Sequence, residues 1–140
     1  LRKAGFVRPR LALETSSRQR QIETGKKTTN KEFKDAVQYL RIAGYGPEEV
    51  GVYILIGLPG QDVNEVERSV DFVKDMRVRI FLEEYSPIPG TPDYKKSGLA
   101  IDADPLLHNN SIFPTHRGEY DKFQGIKDRV HRINASVEMN

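Results

Sequence analysis

The chain has 140 residues, 37% of them hydrophobic and 30% charged, which suits one compact domain. Its 22 basic and 20 acidic residues are well mixed and leave a formal charge of +2, so no broad basic footprint for nucleic acid is present. No apolar run approaches the roughly 20 residues of a membrane helix, and the absence of cysteine excludes disulfides, thiolate metal ligands and a cysteine nucleophile within this chain.

The opening string Leu1-Arg-Lys-Ala-Gly-Phe reads as the tail of a helix with Gly5 in a left-handed cap. With no initiator Met at that point, the chain is expected to begin inside a larger protein. No signal peptide is visible, and a reducing, cytoplasmic compartment is expected. Arg2, Lys3, Arg8 and Arg10 read as a solvated helix end and strand entry.

Residues 8–14 form a short apolar run that ends at Glu14 and suits a buried strand. Thr29, with Glu32 three residues later, makes a capping box for a helix whose apolar positions Phe33, Ala36, Val37, Leu40 and Ala43 recur at three and four. Gly44 stops it. Residues 50–56 are almost wholly apolar and β-branched, which predicts a parallel strand covered on both faces. Asp62 then caps a helix through Val63, Val66, Val70, Val73 and Met76, with Glu65 in its first turn.

Residues 78–84 make a third strand. A stretch rich in Pro and Gly, 85–93, and an irregular segment through Pro114 follow, and 117–137 reads as a closing helix interrupted at Gly125. Alternating strands and helices make a parallel α/β sheet the default topology. Such a piece exposes two sheet edges, so it is expected to be loose alone or to self-associate through an edge.

Three strand ends are candidates for chemistry. Glu14 stands beside Thr15, Ser16 and Ser17, where a carboxylate accepts hydrogen bonds from a ligand hydroxyl or ammonium. The plain alternative is that Glu14 leaves the core and Ser16 or Ser17 caps the next turn. In Ile56-Gly57-Leu58-Pro59-Gly60, Gly57 permits close backbone approach and Gly60 a positive φ, before a helix N-terminus whose free N–H groups point above the sheet. This is no P-loop, for Gly-Lys-Ser/Thr is missing. The third turn, Tyr85-Ser86-Pro87-Ile88-Pro89-Gly90, is stiffened by its prolines and offers the edge of Tyr85. His108, His116 and His131 are not at metal-ligand spacing, and no nucleophile elbow occurs.

Taken in order, Leu-Ala-Leu-Glu-Thr-Ser-Ser with Gly-Lys-Lys-Thr-Thr, then Ile-Gly-Leu-Pro-Gly, then Tyr-Ser-Pro-Ile-Pro-Gly-Thr-Pro resemble strands four to six of the radical S-adenosylmethionine enzyme barrel. The resemblance is nearest to the bacterial members with an upstream cobalamin-binding domain. It spans residues 1–95, and 104–114 resembles their linking loop, so it implies a barrel half at 1–95, an irregular linking loop at 96–115 and a C-terminal helix at 116–140. The implied fold is α/β, three βα units of a partial (β/α)6 barrel of the TIM type.

The resemblance implies an enzyme whose S-adenosylmethionine touches Glu14 and Ser16 or Ser17 through its ribose or methionine part. Its adenine would lie near the backbone of Ile56 and Gly57, with Tyr85, Ser86 and Pro87 bordering the same pocket. Two departures bear on these contacts: Thr15-Ser16 stand where the family has Ser-Gly, and Gln61 stands where an acidic residue often follows the turn. The thiolates that hold the four-iron four-sulfur cluster would lie upstream, so the isolated chain is expected to be inactive and to bind no iron. The substrate stays unknown. A self-contained α/β binding or interaction module is the alternative.

Overall fold

The computed structural model describes residues 1–25, 27–112 and 115–138. Lys26, the Phe113-Pro114 end of the 104–114 segment, and the last two residues of the expected helix at 116–140 lie outside the described residues. Three strands, β1 (Arg10–Glu14), β2 (Gly51–Ile56) and β3 (Arg79–Glu84), form one parallel sheet in the order β1-β2-β3. The helices are α1 (Arg18–Glu23), α2 (Asn30–Ile42), α3 (Val63–Lys74), α4 (Pro92–Lys96) and α5 (Tyr120–Glu138). The protein is thus α/β with a C-terminal helix, as the alternation of periods predicts.

Local signals place most boundaries. Thr29 and Glu32 form the reciprocal capping box of α2, and Asp62 accepts from the Glu65 N–H at the start of α3. Gly44 takes φ +88° just past α2, the left-handed stop that a Cβ would oppose. Four expectations need correction. α1 and the short α4 occupy segments read as turn and irregular loop; both are single-turn helices held by Ser17 and Thr91 caps, too short for periodicity to register. The strand expected over 8–14 begins only at Arg10, with Arg8 exposed before it. α5 runs unbroken through Gly125, because Phe123, Ile126 and Val130 on either side are buried and hold that turn in place.

The fourth correction concerns the sheet. α2, α3 and α5 pack Phe33, Val37, Val66, Val70, Phe123 and Val130 into one cluster with Leu13, Val52, Ile54, Ile56 and Ile80. Tyr53, Leu55 and Phe81, which alternate with these, stand outside that cluster on the opposite face and are partly exposed. β2 is therefore fully covered on one face only. Register across the open face is layered: Arg10, Gly51 and Arg79 align, then Ala12, Tyr53 and Phe81, with Leu55 beside Glu83 nearer the carboxyl ends. The Phe81 ring fills the space a Cβ on Gly51 would need, at 2.6 Å, and carries the Arg10 and Arg79 guanidiniums at 4.7 and 5.6 Å.

The outer edge of β3 is covered at Ile80. The Asn134 amide of α5 accepts from the Ile80 N–H and donates to the Ile80 C=O, both at 2.8 Å, in place of a neighbouring strand. Asn134→Leu removes both bonds. It should cost about 1–3 kcal/mol and induce association through the bared edge; denaturant unfolding and light scattering at several concentrations read the two effects.

Candidate functional site

β1 ends under strain. Glu14 has φ +63°, and the Thr15 N–H donates to the Leu13 C=O at 2.8 Å, which closes a three-residue turn centred on Glu14. That γ-turn geometry is rare and costly for a residue with a side chain. It coincides with a register shift against β2 between Ala12 and Glu14. Among the described residues the Glu14 carboxylate meets only the exposed Lys27 ammonium, at 3.4 Å, beside a cavity of about 60 Å³.

The hydroxyls next to it face inward. Thr15 Oγ1 donates to the Glu65 carboxylate at 2.9 Å, the Ser16 N–H and hydroxyl meet the Ser69 hydroxyl at 2.9 and 3.1 Å, and Ser17 caps α1 by accepting from the Arg20 N–H. Glu65 is clamped at both oxygens by Arg20, at 2.7 and 3.0 Å, and Arg20 also donates to the Pro59 C=O at 3.1 Å. One ion pair thus ties the loop after β1 to the start of α3 and to the turn after β2.

That turn is closed from within. Gly57 and Gly60 take φ +82° and +71°. The buried Gln61 amide accepts from the Gly57 and Leu58 N–H groups at 2.9 and 3.2 Å and donates to the Leu55 C=O at 3.1 Å. The two N–H groups of the turn itself are therefore paired within it, and an amide fits because the turn offers donors and an acceptor together. Ile112, fully buried, lies on Gly57 so closely that a Cβ there would stand 2.2 Å from its Cγ2.

β3 completes the edge. The Tyr85 N–H donates to the Ile56 C=O at 2.8 Å, which sets the second and third turns side by side. Ser86 Oγ accepts from the Asn110 N–H at 2.6 Å, and Glu84 accepts from the Ile112 N–H at 2.6 Å and pairs with Lys127. Burial, and then Asp93, push the half-buried Tyr85 phenol above its ordinary value. Gly57 and Pro87 share a cavity of about 80 Å³ with Lys96, Thr115 and His116. Ile56, Gly57, Tyr85, Ser86 and Pro87 are thus gathered, whereas Glu14 ends β1 and Ser16 and Ser17 follow it in the loop that leads into α1. Larger hollows of about 450 and 500 Å³ lie along β3 and α5 and at the opposite end of the domain.

His116 bonds Thr115 Oγ1 through Nδ1 at 2.9 Å and meets the Phe123 ring edge-on. Burial holds its imidazole below the ordinary value, opposed by Glu119. A folded-state value below the unfolded one means that the neutral ring contributes stability above about pH 6.5, which is lost as acid protonates it. His116→Gln should therefore lose less stability than the parent between pH 7.5 and 5.5, read from denaturation midpoints.

Sequence inspection missed Glu65, Arg20, Ile112 and Asn134. Only Glu65 gave a signal, a first-turn carboxylate, and that was read as a dipole partner rather than a buried anchor. Among the described residues no group of three or more His, Cys, Asp or Glu is placed to hold a metal ion, and no helix is long and apolar enough to cross a membrane. No protein-family model matches the chain, and no curated protein matches it.

Proposed function

We propose that this chain is the C-terminal half of a radical S-adenosylmethionine enzyme barrel, lining part of the S-adenosylmethionine and substrate pocket in a cytoplasmic enzyme. The observation that carries the reading is the open face of the sheet. Parallel sheets occur almost only with both faces covered, and in a barrel the second face is covered by the barrel's own remaining strands. Here the partly exposed Tyr53, Leu55 and Phe81 would face that interior. Covering β3 at its outer edge while β1 pairs only with β2 among the described residues agrees with growth of the sheet from the β1 side, or with self-association there.

Glu14 is the residue best suited to S-adenosylmethionine, for a strained carboxylate with one long ion pair among the described residues is available to a ligand. The Gly57 end fits less well, since Gln61 and Ile112 already fill it. The residues present do not fit an iron-sulfur cluster: the chain has no cysteine, so the cluster, like any cobalamin domain, would belong to a segment outside it. A self-contained binding module is the second reading, favoured by the internal pairing of Ser16, Ser17 and the turn at Gly57.

The test uses Glu14 in the protein that contains this chain. Glu14→Ala should weaken S-adenosylmethionine binding about tenfold to a hundredfold, and Glu14→Gln less, because a charge-assisted bond contributes about 1.5–3 kcal/mol. Glu14→Gly removes the carboxylate and relieves the positive φ, so it should lose affinity while gaining stability. Calorimetric titration with unchanged affinity in folded variants would favour the self-contained module.

A further inference from the structure

The His108 side chain is 2% exposed, and neither of its ring nitrogens has a hydrogen-bond partner among the described residues. A neutral imidazole always carries one donor and one acceptor, and leaving both unmet in a protein interior is rare and unfavourable. Its neighbours explain the lack. The Tyr94 ring stands edge-on at 6.0 Å, with its hydroxyl donated to the Ala100 C=O at 2.6 Å. Ser86 is engaged with Asn109 and Asn110.

Beside His108 lies a hollow of about 250 Å³ walled mainly by Pro87, Ile88, Pro89, Pro105 and Leu106, with the uncharged Ser86 and Asn109, already bonded to each other at 3.3 Å, completing its lining. We propose that this hollow binds an uncharged, largely apolar small molecule whose single hydrogen-bonding group is received by His108. Each part of that description has a cause. None of the described lining residues is charged, so a charged ligand would lose its hydration without compensation. The walls are mostly proline and aliphatic, and Pro87, Pro89 and Pro105 stiffen the backbone that forms them, which keeps the ordering penalty of binding low. The volume corresponds to roughly eight waters of liquid. Ile88 and Leu106 are exposed and give the mouth an apolar lip. Both nitrogens are shut from solvent, so binding requires the ring to turn toward the hollow, and that turn breaks no hydrogen bond.

The test labels the 140-residue chain with ¹⁵N-histidine and titrates it with benzyl alcohol, toluene and benzoate. Benzyl alcohol should shift the His108 ring nitrogens and bind about fivefold more tightly than toluene, the difference one hydrogen bond makes; benzoate should leave them unmoved. His108→Phe should keep toluene binding and erase the alcohol's advantage. Equal shifts from alcohol and toluene, no shift at His108, or benzoate binding as well as the alcohol would overturn the proposal. Should His108→Phe fail to fold, the three-ligand comparison on the unaltered chain decides alone. The outcome is independent of S-adenosylmethionine, whose binding is read at Glu14.

Discussion

Glu65→Ala is expected to destabilise the fold by about 3–5 kcal/mol, the loss typical of breaking a buried pair by removing one partner. Among the described residues the substitution leaves the Arg20 guanidinium, 15% exposed, with only the Pro59 C=O, and takes from the buried Thr15 hydroxyl the acceptor of its proton, though it still accepts from the Ser17 N–H. Against a total stability of about 5–15 kcal/mol for a domain, this is a large fraction. Glu65→Gln keeps an acceptor for Thr15 and for one guanidinium N–H, so it should lose less. The double variant Arg20→Met with Glu65→Leu removes both charges together, and buried pairs replaced by apolar residues of similar size are often neutral. Urea unfolding of the four proteins separates these terms. A loss under 1 kcal/mol for Glu65→Ala would show that water reaches Arg20 and that the pair does not hold the three loops together.

Gly57→Ala should destabilise by about 2–5 kcal/mol, combining the left-handed backbone penalty with overpacking. The two parts are separable. The methyl would stand 2.2 Å from Ile112 Cγ2, whereas φ +82° disfavours any side chain whatever the space. Ile112→Ala, itself expected to cost about 2–5 kcal/mol as a fully buried truncation, removes the severe clash at Cγ2, though its Cβ stays at 3.2 Å, and leaves the φ penalty in place. The double variant should therefore be more stable than the sum of the single losses predicts, by the steric part alone. Hydrogen exchange offers an independent view: in Gly57→Ala the described part of 108–116 should exchange faster, since Ile112 and its bond to Glu84 anchor that segment over the turn. Strict additivity would mean that Ile112 moves aside freely and that the turn is open to a ligand.

The sequence by itself determined what depends on residues a few positions apart. The capping box at Thr29 and Glu32, the Asp62 cap, the stop at Gly44 and the positive φ of Gly60 are local conformational preferences, legible wherever the letters stand. The order of strands and long helices followed from their periods, and the gathering of Ile56, Gly57, Tyr85, Ser86 and Pro87 followed from parallel strands ending on one edge. Only the tertiary structure decided which faces and charges meet. A continuous apolar run reads as doubly covered, but nothing in β2 says whether a covering layer is present, so Tyr53 and Leu55 came out on an open face. Gln61 closing its own turn, Arg20 clamping Glu65, Ile112 lying on Gly57 and Asn134 pairing with Ile80 depend on where separate elements come to rest. The strain at Glu14 has the same origin: the bulge against β2 and the pull of Thr15 toward Glu65 impose a φ that its local sequence does not favour.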